Sequence, residues 1–278
     1  LVFVVVLLAW ALWDAWTRRR DSTARRRAAM PAAFLTGLAL VLLPVAVRNY
    51  AVGGGFYLTT SQFGPNFFMG NNAQADGTAM SLRTGRGSAE YERQDAVDIA
   101  QRALGRTLAP GEVSAYWTRL SLDFIRAEPL AWVRLTLRKI VLLWNATEIL
   151  DTESQETYAD YSPPLRYGAI VGNFGVLVPL ALLGVLLTWG DRARTLPVVA
   201  MLAAYAASVV MFYVYARYRY PLVPMLVLFA AAALDRIPSA WRDIRRPAGT
   251  AVITAPRATA FMVLTTGALL LANWPITL

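Results

Sequence analysis

Arg217-Tyr218-Arg219-Tyr220-Pro221 sets two guanidinium groups and two phenols within five residues, between two apolar runs. Planar guanidinium forks bind phosphate bidentately, and Tyr suits the headgroup level of a bilayer. Such a cluster could hold the phosphate of a lipid. It could equally anchor helix ends through snorkelling Arg and a Tyr belt. Lys139, the only Lys, stands between Arg138 and the apolar IVLLW. It could neutralise an interfacial phosphate or simply snorkel. Arg48-Asn49 could contact a headgroup or serve as a helix-end cation favourable to the dipole. From Arg48 to Gly77 the chain combines Gly, Asn and aromatics with almost no charge, poor material for a helix and too polar for a span. The amides of Asn66, Asn71 and Asn72 there suit sugar hydroxyls, or a tight-turned loop. Glu148, Asp151, Glu153, Glu156 and Asp160 could hold a cation or supply a base, or form a solvated acidic loop. Asn145-Ala146-Thr147 matches a glycosylation triplet, a pattern frequent by chance.

Composition decides what surrounds these groups. The chain is 56% hydrophobic and only 16% charged, with mean hydropathy +0.41. Soluble domains of this size rarely combine those values, so a polytopic membrane protein is expected. The net charge of +9 comes from Arg clusters beside apolar runs, which is membrane topology and not a nucleic-acid stripe. With no Cys and no His, disulfides, thiolate chemistry and His bases or ligands are excluded. Acid–base work falls to Asp, Glu, Lys or Tyr. No cofactor is certain; a divalent cation is the one candidate.

The expected fold is an all-α polytopic membrane protein with about six transmembrane helices, one interfacial helix and an external, mainly helical insert. Spans are expected at Leu1–Trp16, Met30–Val47, Tyr167–Trp189, Thr195–Ala216, Pro221–Leu234 and Ala258–Ile276. Arg18, Arg19, Arg20, Arg25, Arg26 and Arg27 make the first loop cytoplasmic by the positive-inside rule. Residues 48–166 are then external. In the insert, helices are expected over Ser88–Leu104 and from Pro110 to Arg126, the second burying Val113, Trp117, Leu120 and Phe124. Leu130–Leu150 has the length of a span but carries Arg134, Arg138 and Lys139 mid-segment, at about 2.5–3.5 kcal/mol each on insertion scales. Reading it as interfacial or re-entrant also keeps the basic loops at Arg192, Arg194, Arg236, Arg242, Arg245 and Arg246 inside. The layout is two spans with a cytoplasmic loop (1–47), an external insert (48–129), an interfacial helix with an acidic loop (130–166) and C-terminal spans (167–278). The chain opens on Leu inside an apolar run with no basic region before it. It is therefore read as a fragment with its N-terminal part missing, not as a signal peptide.

An ordered set of motifs carries a family resemblance. RNY-x-x-x-G-x-F begins at Arg48, and GPNFFMGNN-x-x-x-DG runs from Gly64 to Gly77. EVSAYW (Glu112–Trp117), WNATE (Trp144–Glu148) and ARYRYPLVP (Ala216–Pro224) follow. From Arg48 to about Leu234 the chain resembles bacterial glycosyltransferases of the GT-C fold, relatives of dolichyl-phosphate-mannose protein mannosyltransferase and of the lipid A aminoarabinose transferase. The resemblance implies transfer of a sugar from a polyprenyl-phosphate carrier at the external face of the bacterial inner membrane. The acceptor would be a lipid, glycan or protein. It nominates Arg217, Arg219 and Lys139, with Arg48 behind them, for the carrier phosphate. Tyr218, Tyr220, Asn66, Asn71, Asn72 and Glu148 are substrate candidates. In such enzymes the catalytic carboxylate lies in the first external loop, before this sequence begins, so no catalytic residue is assigned and the fragment alone is expected to be inactive. Arg217→Ala or Arg219→Ala in the full-length enzyme is expected to abolish transfer without unfolding. Two rivals stand beside this: a transporter or flippase of lipid-linked sugar, disfavoured by nearly charge-free spans, and a non-catalytic membrane scaffold whose insert binds a partner.

Overall fold

The computed structural model describes residues 2–17, 24–53, 55–58, 60–150, 155–244 and 255–276. Among them every regular element is helical and no strand occurs. Three runs are long and apolar enough to cross a membrane: Ala29–Val52, Pro163–Met211 and Ala216–Arg242. Val2–Thr17 and Ala258–Ala272 are shorter apolar helices. Arg18, Arg19, Arg20, Asp151, Glu153, Arg245 and Arg246 lie outside the described residues. The chain divides into two compact units, Leu1–Thr136 with Met211–Tyr213, and Leu137–Val210 with Val214–Leu278.

The first unit contains α1 (Val2–Thr17), α2 (Ala24–Gly53), α3 (Phe63–Gly70), α4 (Ala89–Leu104), α5 (Pro110–Ala127) and the first half of α6 (Pro129–Trp144). The two helices expected in the insert are present as α4 and α5. Their ends have local causes. Gly105 closes α4 at φ 67°, a left-handed conformation that costs Gly little. Pro110 opens α5 where a missing N–H is harmless. The Glu112 carboxylate then reaches back to accept the Ala109 N–H at 2.8 Å. Arg106, at 2.7 Å, and that N–H hold this carboxyl below its ordinary range. Val113 and Trp117 bury against Ala96, Ala100 and Leu108. The Trp117 indole donates to the Ala96 carbonyl at 3.0 Å, so its one polar atom is satisfied inside the core.

The stretch expected to be irregular is helical in two places. α2 continues to Gly53, and α3 forms over FGPNFFMG. Tertiary packing overrides the weak helix propensity of Gly and Pro there. Phe63 and Phe67 stack on each other, and both meet Phe212 edge-on. Gly64 is required because any Cβ there would overlap the Ser114 carbonyl, and the Gly64 N–H donates to Ser114 Oγ at 2.9 Å.

The second unit contains the rest of α6, then α7 (Gln155–Tyr161), α8 (Pro163–Val171), α9 (Phe174–Thr188), α10 (Arg192–Met211, its last residue apart), α11 (Ala216–Arg219), α12 (Val223–Ile244) and α13 (Ala255–Ala272). Asn173 caps α9 by accepting the Val176 N–H at 3.2 Å. α9 packs on α12 and α13. At the α9–α12 contact Gly184 faces the Phe229 carbonyl so closely that a side chain would collide with it. Small residues at such a crossing let backbones approach where the solvent is itself apolar.

Candidate functional site

Arg217 and Arg219 lie two residues apart on α11 and have opposite fates. Arg217 is exposed. Its Nη2 donates to the Tyr218 hydroxyl at 3.2 Å, and its guanidinium lies 5.0 Å from the Tyr218 ring centre and 6.0 Å from that of Tyr215. Tyr220 is exposed beside it. This group has an accessible cation framed by phenols, the arrangement its sequence suggested.

Arg219 is 1% exposed. Its Nη1 donates to the Thr147 carbonyl at 2.8 Å, and its Nη2 to the Asn145 carbonyl at 2.5 Å. The guanidinium lies 3.8 Å from the centre of the Phe174 ring. The residue nominated for the carrier phosphate is thus enclosed: its two terminal nitrogens donate to backbone carbonyls, an aromatic ring covers its face, and Nε is buried without a hydrogen-bond partner among the described residues. Glu148, half-buried, acts on this guanidinium through space without an ion pair within 4 Å.

The turn after α6 is held from several sides. Asn145 donates to the Trp274 carbonyl at 2.9 Å and accepts the Thr147 N–H at 2.8 Å. Ala146 N–H reaches the Ala272 carbonyl at 2.6 Å, and Ala216 N–H the Ile149 carbonyl at 2.9 Å. Asn145 is 1% exposed, so its amide is inaccessible as a glycosylation acceptor. The WNATE motif is thus a structural knot.

Lys139 is fully buried on the α6 face that also buries Leu135, Leu142 and Leu143. Burial pushes its ammonium down to about 8. The charged form is then penalised in the fold below pH 8, and the penalty is relieved as pH rises from about 8 toward the unfolded value of 10.5. Lys139→Met should therefore stabilise the purified protein more at pH 7 than at pH 9.5. Differential scanning fluorimetry of both proteins at the two pH values checks this, and a pH-independent difference would refute it.

The remaining nominated residues belong to the first unit. Asn71 is 2% exposed. Its Nδ2 donates to the Phe67 and Met211 carbonyls at 2.9 and 2.8 Å, and its Oδ1 accepts the Trp132 indole at 3.1 Å. Its amide is therefore held by the fold at both its nitrogen and its oxygen. Asn72 donates to Phe68 O at 2.8 Å and accepts the Gln74 N–H at 2.8 Å. Asn66 is half-buried on α3. Arg48 is exposed near the end of α2 and lines a cleft of about 510 Å³ with Arg93, Tyr57 and Ser61. Arg93 was not singled out by the sequence, where it looks like one more charge on a solvated helix face. Among the described residues no group of three or more carboxylates could hold a metal ion.

Comparison with protein-family models, curated proteins and solved structures finds no match for this chain.

Proposed function

We propose that the chain is part of an integral membrane glycosyltransferase resembling the GT-C enzymes, which moves a sugar from a polyprenyl-phosphate donor to a lipid, glycan or protein acceptor. The observation that carries this reading is an open groove of about 370 Å³ in the second unit, walled by apolar side chains alone. α6 supplies Ile140, Val141 and Trp144 to it, α9 supplies Leu182, and α13 supplies Leu271. Such a groove suits an isoprenoid chain, which brings only C–H surface. The same unit offers the exposed Arg217 cation among phenols for the attached phosphate. When the glycosidic bond breaks, negative charge grows on that phosphate, and a preorganised guanidinium stabilises it. Tyr218 and Tyr220 would frame the headgroup. No residue is assigned as general base.

Six crossings fit this reading. Pro163–Met211 is 49 residues long. At 1.5 Å per residue that is roughly 70 Å of helix, about twice a bilayer core. The break between α8 and α9 and the 3-10 turn at Trp189–Asp191 give it places to fold back. With the two shorter apolar helices the total reaches six. α6 buries Lys139 on one face and exposes Arg134 and Arg138 on the other, which suits a helix lying at an interface. Positive-inside then sets residues 48–166 on the external face of a bacterial inner membrane.

Arg217→Ala should lower kcat/KM for a polyprenyl-phosphate sugar by about ten- to a hundredfold, the worth of a charge-assisted hydrogen bond, with folding intact. The check is turnover of the full-length protein in nanodiscs beside its melting temperature. Unchanged turnover would sink the assignment.

A further inference from the structure

The cleft of the first unit has its own chemistry. Its volume of about 510 Å³ falls in the range of small-molecule sites. Arg48 enters it from the end of α2 and Arg93 from α4, and no Asp or Glu lines it. Both guanidinium groups are exposed, and neither is engaged by another group among the described residues. Two unengaged cations facing one concavity without an acid create a positive field that favours an anion with two charges or two acceptor oxygens.

One wall is polar and held in place. Asn49 donates to the Tyr57 carbonyl at 2.8 Å, pinning the loop after α2 back onto that helix. The Tyr57 ring lies against Gly55, where a side chain would collide with it, and the missing side chain of Gly111 leaves room for its hydroxyl. Thr60 Oγ1 accepts the Gln62 N–H at 3.2 Å, fixing the next turn. Tyr57 and Ser61 offer hydroxyls and Gln62 an amide to the cleft. Val97 and Leu108 add aliphatic surface to the lining. Hydroxyl and amide partners together with aliphatic surface match a sugar or polyol ring, whose edge hydrogen-bonds while its C–H face packs.

We infer that this cleft binds a phosphorylated sugar or polyol, with Arg48 and Arg93 on the phosphate and Tyr57, Ser61 and Gln62 on the hydroxyls. Such a group can come free from water or as the headgroup of a lipid. Arg48 stands near the end of the apolar run Ala29–Val52, so a lipid-borne headgroup has a short route in. If the transferase reading holds, the cleft would receive the acceptor; only that identification rests on it.

The test is direct binding of glucose 1-phosphate to the full-length protein in phosphatidylcholine nanodiscs, by calorimetry and without any assay of transfer. Saturable binding is expected, weakened about tenfold or more by Arg48→Ala and by Arg93→Ala. Arg119→Ala removes the same charge from an exposed site on α5 outside the cleft and should leave affinity unchanged. Methyl glucoside and inorganic phosphate should each bind at least about tenfold more weakly than glucose 1-phosphate. Adding phosphatidylinositol to the nanodiscs separates the sources: competition with glucose 1-phosphate assigns a lipid headgroup, and its absence assigns a soluble ligand. No binding, equal loss in Arg119→Ala, or inorganic phosphate binding as tightly as glucose 1-phosphate would each overturn the inference. Because transfer is never measured, failure here is distinct from failure of the transferase reading.

Discussion

Arg219→Ala should cost the folded protein itself, not merely its activity. The guanidinium serves the Asn145 and Thr147 carbonyls at once and rests on Phe174. Truncation leaves two acceptors without donors, at about 1–3 kcal/mol each where they are buried. It also removes a desolvated cation–π contact worth up to about 2 kcal/mol and opens a cavity. Relief from burying a charge offsets part of this, so the net loss is about 3–5 kcal/mol. Total stabilities of about 5–15 kcal/mol leave little after such a loss. The expected result is aggregated protein on size exclusion in detergent, or a melting point too low to purify. Arg219→Lys keeps the charge but cannot span two carbonyls with a planar fork, so it should fold with a reduced melting temperature. A monodisperse Arg219→Ala protein that melts like the wild type yet transfers no sugar would instead assign Arg219 to the phosphate site.

The two arginines of α11 show where the sequence stops being readable. RYRYP announces a cluster of cations and phenols, but nothing local says which arginine faces inward. That depends on carbonyls more than seventy residues earlier and on Phe174, far away along the chain. α4 and α5 were legible because their signals are local: a Pro at the first turn, a Gly beyond the last, an apolar face every three or four residues. α3 was not, because Gly64 is helical only through its partner fifty residues away, Ser114. On α6 Lys139 shares its face with Leu135, Leu142 and Leu143, and that spacing of four and three was present in the sequence. Its mid-segment charge drew attention to cost and hid this periodicity. Arg93 was invisible for the opposite reason: it sits on a well-formed helix, and only the cleft distinguishes it from its neighbours.

A second large effect is expected at Asp95, a carboxylate 1% exposed on α4. Its Oδ1 lies 2.9 Å from Arg83 Nη1 and 3.3 Å from Arg86 Nη1. The loop before α4 is thereby tied to the helix that carries Arg93. The geometry is charge pairing more than hydrogen bonding, since neither Asp95 oxygen has a well-aligned donor. Removing both cations with Arg83→Ala and Arg86→Ala leaves a buried carboxylate uncompensated, at about 3–5 kcal/mol. Adding Asp95→Asn to the double variant should recover much of the loss, because a neutral amide removes the charge and keeps the volume. Chemical denaturation followed by the loss of helical circular dichroism reads this. If the triple variant is no more stable than the double, the arginines act by packing their aliphatic stems and not by answering a buried charge. The contact of Arg86 with the Tyr91 ring, 4.5 Å from its centroid, would then be the first place to look.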